Sequence, residues 1–591
     1  MSSTATSAEG GPHLDADTAP GASRTRNRPA LWAFVGVLAL LLLVALSWIG
    51  LRLSQAQDHL SKARAQVPIL QKHLVDGDAA AAAADLRVIR SETAKARSST
   101  NDVIVRAGAS VPYLGRTPHA ARSLADISDV MAAGPLPRLV TASLALSPNR
   151  LRTSGDTIDV RGLESAALPL RTAVRELDVV TSELRDMSRG PLVLDPLDNA
   201  RATLLANVSS LQSTAIVAGR FASVGPPMLG ASGTRRYFVA LTNPNEARAT
   251  GGVLGGYQIL EARQGKLRIV ESGPATKLPQ LHSWLNANRS PHFPTAASTW
   301  ASLWESSHSG KPRQHIDGVI SLDPLALSQL LAATGPVNLR RGQPVNTNNI
   351  VNRVTQRYAT AQNPLNRDGT LAGVTARIVG AVLDGAGNTQ NLATRLGRTS
   401  GRGHLQLWSS RSDEEVILAQ APIGGVLDDT KQPYAGVVVS NIGGNKLDGF
   451  LSRSVTYFAG GCGSTKRDAT IVVRLSNEAP QGLPGFLTTR TDRPPKGTPA
   501  EQTRYEVAVY AAAGAQLRSA NLDGAELTMR TQSSRGHPVF TTNVSIDRRT
   551  TRTLTLQLNE TTLAGVPTMP VQPLLRPQEN VLDAPTCGGR R

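Results

Sequence analysis

The chain has 591 residues, several times the roughly 100–200 residues of one domain, so a single compact domain is excluded. Hydrophobic residues make up 40% and aromatic residues only 4%, which indicates a mostly folded, aromatic-poor protein. The net charge of +18 is spread along the chain without a Lys/Arg-rich run, so no nucleic-acid partner is predicted. The excess of arginine instead favours anionic lipids, polyprenyl-linked glycans or acidic polymers as partners, because guanidinium groups bind phosphates and carboxylates bidentately.

An uncharged apolar stretch near the start predicts a membrane anchor. The stretch 30–51 holds 22 residues without a charged side chain, enough at about 1.5 Å per residue to cross a hydrocarbon core of ~30 Å. No small-residue cleavage site follows closely, which favours an uncleaved transmembrane helix over a signal peptide. Three arginines precede the stretch and one follows it, so the positive-inside rule places the N-terminus in the cytoplasm. We therefore expect a single-pass cell-membrane protein, with a disordered cytoplasmic tail over 1–29 and extracytoplasmic domains after about residue 52.

The segment 52–230 carries the periodicity of helices. Apolar residues recur at three- and four-residue steps, for example at Leu53, Ala56 and Leu60, and prolines separate the periodic stretches. This pattern predicts an extracytoplasmic helical stalk or bundle. Such a stalk would hold the following domains away from the membrane.

Strand patterns begin at about residue 235. An apolar strand over 237–241 is followed by a polar turn over 242–250 and by further strands on either side of Gly265. The turn and the paired glycines behind it suit a ligand site, because polar side chains and backbone amides approach the same point there. A hairpin with a structural Glu–Arg pair explains the same residues equally well. The ligand-binding candidates of this turn are Asn243, Glu246, Arg248, Gly251 and Gly252.

Two acidic residues flank the next apolar strand. Asp317 and Asp323 are six positions apart, a multiple of the two-residue period of a strand, so their side chains are expected to point to the same face. Asp323 precedes Pro324 and an apolar helical run, which predicts a helix N-cap rather than a catalytic acid. His404 lies alone on a later strand and no Ser-His-Asp order is visible, which favours a structural histidine. We assign no catalytic residue, metal or cofactor from these patterns.

Two further groups of polar residues are candidates for ligand binding. The first lies in and after a helical stretch, where a solvated helix face is the alternative explanation. The second lies in a Gly-rich loop, where its amide and carboxylate groups suit a sugar, a cation or the loop itself. An ion pair between Asp448 and Arg453 is a further alternative for the second group. The candidates are Arg357, Tyr358 and Arg367 in the first group and Asn445, Lys446 and Asp448 in the second.

Short alternating strands separated by turn signals fill the region 467–570. Such a pattern within about 100 residues predicts a β-sandwich with a binding or spacing role. The segment 571–591 is expected to be a C-terminal tail, loose unless a disulfide ties it back. Cys462 and Cys587 are the only cysteines, and on an oxidising side of the membrane they form either one disulfide or two free thiols.

Three stretches of the chain resemble one known family. They are NPNEARATGG at 243–252, IDGVISLDPLALSQLLAATGPV at 316–337 and SNIGGNKLDGFLSRSVTY at 440–457. These stretches are similar to hallmarks of the bacterial domain-of-unknown-function family number 4012. The resemblance implies a domain over about 235–460, one N-terminal membrane anchor and a large external part. It leaves the activity open.

A more distant resemblance connects the same region to the LytR-CpsA-Psr family. Those transferases move glycopolymers from a polyprenyl pyrophosphate carrier to the cell wall, with arginines on the pyrophosphate and carboxylates on a magnesium ion. The resemblance implies a mixed α/β domain in which Arg248, Arg357 and Arg367 would contact the pyrophosphate. Arg377 falls with Arg357 and Arg367 where that family has its arginine cluster. Thr250 stands where that family has the metal-holding aspartate, which puts magnesium binding and phosphotransfer in question.

The chain is thus predicted to be a multidomain α+β protein with a transmembrane helix, a helical stalk or bundle, an α/β domain and a C-terminal β-sandwich. The first function class is a cell-envelope protein that binds a glycopolymer or its lipid-linked precursor and assists its assembly, export or attachment, with envelope assembly proteins as partners. The second is a glycopolymer-pyrophosphate transferase of the LytR-CpsA-Psr kind, with magnesium. A sensor or adhesion subunit built on the stalk is a third class.

Overall fold

The computed structural model describes most of the chain and divides it into two compact units of discontinuous segments. The first unit comprises Met1–Ile69, Ala84–Ala133 and Val179–Val208, and the second comprises Leu70–Ala83, Gly134–Asp178 and Ser209–Arg591. The described residues are 28–113, 115–147, 157–187, 193–310, 314–338, 344–353, 364–383, 389–429 and 431–588.

Among the described residues before Arg235, the regular elements are helices, as the apolar periodicity predicts, apart from a β-bridge between Thr157 and Lys266. Their close packing in the first unit depends on small residues, since Ala56, Ala96 and Ala125 from three helices form one buried cluster. The helices are Arg28–Asp76, Ala79–Thr100, Val103–Ala109, Arg116–Ala133, Pro135–Ala145, Val160–Asp186 and Asp195–Met228.

The first helix contains the predicted membrane anchor. Among the described residues, it is the one helix whose length and apolar composition suffice to cross a membrane. Leu40, Leu41 and Leu43 expose 61%, 60% and 63% of their surfaces, so the described part of the chain leaves most of these side chains uncovered. The helix runs on to Asp76 because the apolar periodicity continues beyond the uncharged stretch.

A five-stranded sheet follows, in the order β3-β2-β1-β4-β5. β1 and β4 pair in parallel, and the other neighbours are antiparallel. The strands are β1 Arg235–Arg248, β2 Gly251–Arg263, β3 Lys266–Pro274, β4 Gly318–Leu322 and β5 Leu405–Ser409. The helices of this region are Leu281–Asn286, Phe293–Ser307, Pro324–Thr334, Ile350–Asn352, Pro364–Leu383, Thr389–Gly401 and Ser412–Leu418.

Alternating side chains of β1 cover both faces of this sheet. Val239 and Leu241 pack on one face in a cluster that includes Leu327 of helix Pro324–Thr334. Phe238 packs on the other face, where the cluster includes Trp300. Four of the chain's six tryptophans, Trp284, Trp300, Trp304 and Trp408, pack in this second cluster. The architecture is mixed α+β, as predicted.

Two further sheets form the C-terminal part. Their orders are β11-β10-β14-β8-β7-β15 and β12-β13-β9-β6, and one buried cluster contains residues of both. The strands are β6 Ala435–Asn441, β7 Leu451–Ala459, β8 Lys466–Asn477, β9 Thr503–Ala511, β10 Gln516–Leu522, β11 Ala525–Glu526, β12 Arg530–Ser534, β13 His537–Ile546, β14 Thr551–Thr561 and β15 Gln578–Asp583. A short helix, Gly485–Thr488, lies in the β8–β9 connection.

The sheet pairing differs from the predicted boundaries at 460 and 571. β6 pairs with β9 and β7 pairs with β8, so both strands belong to the C-terminal sheets rather than to the five-stranded sheet. β15 lies in the predicted tail but pairs in parallel with β7. This edge strand is held by backbone hydrogen bonds and has little buried apolar surface, so no apolar alternation marks it in the sequence. Cys462 and Cys587 form a disulfide that ties the chain end back to the sheet.

Candidate functional site

Most of the turn predicted over 242–250 is strand, because β1 continues to Arg248 with an irregular register between Asn243 and Ala247. This end of β1 contacts the β6–β7 loop, and the contact joins two groups of predicted ligand-binding residues about 200 positions apart in the sequence. Lys446 Nζ lies 2.6 Å from Glu246 Oε1. The Arg248 guanidinium donates to the Asn441 carbonyl oxygen at 2.7 Å. We name this set the polar junction and define it as Asn243, Glu246, Arg248, Asn441, Asn445, Lys446 and Asp448.

Asp448 is the buried centre of the polar junction, with 1% of its surface exposed. Its carboxylate accepts hydrogen bonds from the Ala247 amide at 2.5 Å, the Tyr505 hydroxyl at 2.7 Å and the Asn441 side-chain amide at 3.0 Å. Burial raises the pKa of Asp448 to about 7, although these hydrogen bonds favour the ionised form. Asp448 therefore connects β1, β9 and the β6–β7 loop. It forms no ion-pair contact with Arg453, which donates to Gln572, Gln578 and the Arg576 carbonyl.

The asparagines of the polar junction hold the backbone. Asn441 donates to the Asn445 carbonyl oxygen at 2.9 Å and accepts from the Gly444 amide at 2.8 Å. Asn445 is fully buried and donates to the Gln502 carbonyl oxygen at 2.9 Å. Asn243 accepts from the Asn245 amide at 3.1 Å. These contacts correspond to the loop-holding alternative, because the amide groups are directed at the protein's own backbone.

Arg248 donates to three backbone carbonyl oxygens. These acceptors are Leu285 at 3.2 Å, Ala247 at 3.0 Å and Asn441 at 2.7 Å. Burial lowers the pKa of Arg248. Its guanidinium is therefore engaged inside the protein, where the transferase alternative needs it to contact a pyrophosphate.

The other arginines of the transferase alternative are described only in part. Arg357 and Tyr358 lie outside the described residues. Arg367 belongs to helix Pro364–Leu383, but its side chain lies outside the description. Arg377, on the same helix, donates to the Asn338 carbonyl oxygen at 3.1 Å.

The paired glycines after the β1–β2 turn are required by the backbone. Gly251 has φ +126°, which side chains other than that of glycine rarely allow. A Cβ at Gly252 would lie 2.1 Å from the carbonyl carbon of Asn243, so only glycine lets the two strands approach this closely. The Asn288 side chain then donates to the Gly252 carbonyl oxygen at 2.9 Å. The positive φ of Gly251 and the close strand packing at Gly252 explain both glycines without a ligand.

The predicted helix cap at Asp323 is confirmed. Its Oδ1 accepts from the Ala326 amide at 2.9 Å, at the start of helix Pro324–Thr334. Its Oδ2 lies 2.6 Å from Nδ1 of His404, so this histidine has a partner that fixes its ring. Asp317 accepts from the Arg235 side chain at 2.8 Å and from the Arg236 amide at 2.9 Å.

These contacts also test the fit of a magnesium ion. The carboxylates that flank β4 are engaged by a helix cap, a histidine and two arginine residues. Thr250 accepts from the Asn288 amide at 3.1 Å through its hydroxyl. No cluster of three or more His, Cys, Asp or Glu with metal-binding geometry occurs among the described residues. Both carboxylates are thus engaged by other protein groups, and these residues do not fit the magnesium site of the transferase alternative. The function proposed below therefore involves no metal ion.

A second candidate site is a groove lined by arginines and apolar residues. It lies between helices Val160–Asp186 and Asp195–Met228, in segments of the second unit. Its volume is about 640 Å³. We name it the arginine groove, because three of its residues, Arg171, Arg175 and Arg220, are arginines. Throughout the described ranges, no carboxylate lies within ion-pair distance of these three side chains. The remaining lining residues are Leu168, Leu170, Val174, Ala215, Ile216, Gly219 and Ser223.

The helical repeat explains the arginine groove. Arg171 and Arg175 are four residues apart, so they lie on one face of their helix, beside the buried stripe that contains Leu170. Gly219 faces that stripe, and a Cβ there would lie 3.5 Å from the Leu170 Cβ. Leu168 stays 62% exposed at the edge of the groove. Our sequence reasoning missed this site, although two arginines one turn apart beside an apolar stripe were the available signal.

Comparisons with known proteins add a family but no activity. The model of a family described as protein of unknown function (DUF4012) matches residues 232–283 and 279–358. The matched region contains β1 to β4 and helix Pro324–Thr334. No curated protein and no solved structure matches the chain. The function must therefore be inferred from the geometry of this chain.

Proposed function

We propose that this chain, which belongs to the DUF4012 family of proteins of unknown function, is a membrane-anchored, extracytoplasmic cell-envelope protein that binds a lipid-linked glycopolymer precursor. It assists the assembly, export or attachment of that polymer without itself transferring it. The observation that carries the proposal is the arginine groove, in which three guanidinium groups without an ion-pair partner among the described residues border an apolar floor.

The chemistry of the arginine groove suits an amphiphilic anion. Guanidinium groups bind phosphate oxygens bidentately and keep their charge at any physiological pH. Leu168, Val174 and Ile216 offer the apolar surface that a hydrocarbon chain needs. A volume of about 640 Å³ is in the range of ~300–1,000 Å³ that is usual for small-molecule sites. A polyprenyl phosphate or pyrophosphate combines both features, with its phosphate at the arginines and the first part of its chain on the apolar floor.

Other features support a membrane-anchored, extracytoplasmic location of the protein. Helix Arg28–Asp76 supplies an apolar stretch for a single span, and the arginines before it favour a cytoplasmic N-terminus. The disulfide between Cys462 and Cys587 favours an oxidising compartment for the C-terminal part. The shared core of the two C-terminal sheets supports a β-sandwich as a further binding or spacing module.

The transferase alternative has weaker support. It rests on the LytR-CpsA-Psr resemblance and on Arg248, which the structure engages with three backbone carbonyls. Its carboxylates are likewise engaged within the protein. A binding role needs neither Arg248 nor a metal ion.

The test is binding of polyprenyl pyrophosphate to the full chain in detergent micelles. Replacing Arg171, Arg175 and Arg220 by Gln is expected to weaken binding at least tenfold, because each lost charge-assisted hydrogen bond contributes about 1.5–3 kcal/mol. Native mass spectrometry across a lipid titration gives the affinity. A neutral polyprenol is expected to bind much more weakly than the pyrophosphate.

A matched triple variant controls for net charge. Arg263, Arg402 and Arg474 are exposed and form no ion pair within the described part of the chain, so their replacement by Gln removes the same charge elsewhere. This variant should bind as the unmodified protein does. Equal affinities of the two triple variants would refute the arginine groove as the binding site. Release of phosphate by the unmodified protein in the presence of magnesium would favour the transferase alternative instead.

A further inference from the structure

A short segment of the first unit is held against the first helix where its apolar stretch ends. Trp48 Nε1 donates to Asp102 Oδ1 at 3.1 Å, and Arg52 donates to Asp102 Oδ2 at 3.3 Å. The Arg52 guanidinium also lies 4.9 Å from the centre of the Trp48 ring. Asp102 caps helix Val103–Ala109 through the Ile104 amide, so this helix begins beside the end of the apolar stretch.

Gly108 makes a second contact between the short helix and the first helix, next to Trp48. A Cβ at this position would lie 2.7 Å from the Cδ1 atom of Ile49, so the short helix packs directly on the first helix. Ile49 and Trp48 belong to the final turn of the uncharged stretch 30–51. The segment that follows Asp102 therefore lies beside the residues at which the proposed span leaves the membrane.

The surface of this segment is apolar and cationic. Val103, Ile104, Val111 and Tyr113 expose 69%, 40%, 45% and 70% of their surfaces. Arg106 and Arg116 are also exposed, and the Arg116 guanidinium lies 5.7 Å from the centre of the Tyr113 ring. Neither arginine has a carboxylate partner among the described residues. We name these six residues the interfacial segment.

We propose that the interfacial segment lies in the headgroup region of the bilayer that the first helix crosses, and that it binds an anionic phospholipid surface. The proposal rests on the proposed membrane span and adds a second contact to it. Exposed Val, Ile and Tyr side chains enter the boundary between headgroups and hydrocarbon, where the aromatic ring has an apolar body and a polar tip. The two arginines attract anionic headgroups. A membrane surface that extends from Trp48 and Arg52 over the interfacial segment would cover the apolar side chains that the protein leaves exposed there.

The experiment uses the full chain in nanodiscs that contain phosphatidylcholine and phosphatidylglycerol. Single cysteines replace Tyr113, Val130 and Leu43 in separate variants and carry a polarity-sensitive fluorophore. The native cysteines are joined to each other and do not react with the label. Val130 is the matched control, because it is 46% exposed on helix Arg116–Ala133 of the same unit. Leu43 reports on the span independently.

We expect nitroxide lipids labelled near the headgroup to quench the fluorophore at position 113 at least threefold more strongly than the fluorophore at position 130. Omitting phosphatidylglycerol should reduce quenching at position 113, and replacing Arg106 and Arg116 by Gln should do the same. Equally weak quenching at positions 113 and 130, together with strong quenching at position 43 by nitroxides placed deep in the acyl chains, would overturn the membrane contact of the interfacial segment. It would leave the span intact. An aqueous fluorophore at position 43 would overturn the span and the interfacial segment with it.

Discussion

Replacing Asp448 by Ala is expected to lower the free energy of unfolding by about 3 kcal/mol or more. The substitution removes the acceptor of the Ala247 amide, the Tyr505 hydroxyl and the Asn441 amide. Each buried donor left without a partner costs about 1–3 kcal/mol. Because Asn441 and Tyr505 are themselves buried, water cannot replace the carboxylate without opening the polar junction. Urea unfolding of the full chain in micelles measures the change.

The pH dependence of stability gives a second measurement on the same residue. Burial raises the pKa of Asp448 to about 7, well above the unfolded value of 3.8. Between these values the folded state holds a proton that the unfolded state releases, so the contribution of Asp448 to stability is complete below about pH 3.8 and is lost as the pH rises to about 7. The slope for one such group is at most about 1.4 kcal/mol per pH unit.

Asp448→Asn is the matched variant for this slope, because the amide has nearly the same shape and does not titrate in this range. Burial also raises the pKa of Glu415 to about 7, and this residue contributes a slope of the same sign in both proteins. The difference between the unmodified protein and Asp448→Asn therefore isolates Asp448. Identical slopes would mean that Asp448 titrates in the folded protein as it does in the unfolded chain.

Removing the disulfide between Cys462 and Cys587 is expected to have an effect of similar or larger size. The two cysteines are separated by 125 positions, and a closed loop of this length is worth up to ~5 kcal/mol in the chain-entropy estimate. The disulfide connects the β7–β8 turn to the chain end after β15, an edge strand with little buried apolar surface. We expect the Cys462→Ser, Cys587→Ser variant to unfold at a lower denaturant concentration and to lose protection of β15 amides from hydrogen exchange.

Reducing agent provides the control for this prediction. Dithiothreitol should lower the unfolding midpoint of the unmodified protein towards that of the double variant. It should leave the double variant unchanged. An unmodified protein whose midpoint does not move, with the disulfide shown by mass spectrometry to be reduced, would contradict the prediction.

Local patterns predicted the elements that depend on neighbouring residues. The apolar stretch 30–51 lies within helix Arg28–Asp76, and the three- and four-residue steps after it correspond to helices. Asp323 before Pro324 predicted an N-cap, which needs only the residues of one helix turn. The alternation in 467–570 predicted strands, because alternate side chains must face one core.

The roles of the candidate residues depended on contacts between distant parts of the chain. Glu246 and Lys446 stand about 200 positions apart, and no local pattern says that they form an ion pair. Arg248 and Asp448 are polar residues in glycine-containing turns, a composition that suits a ligand site and a structural contact equally. Burial decides between these roles, since a buried polar group must find its partners inside the protein.

The sequence by itself thus determined the mixed α+β class, the apolar N-terminal helix, the cap at Asp323 and the resemblance to the DUF4012 family. These features follow from periodicity, hydropathy and short motifs, which act over a few residues. Only the tertiary structure assigned β6, β7 and β15 to the C-terminal sheets, because strand pairing depends on backbone hydrogen bonds between segments far apart in the chain. It likewise brought Arg171 and Arg175 beside Arg220, since a groove between two helices exists only once those helices pack.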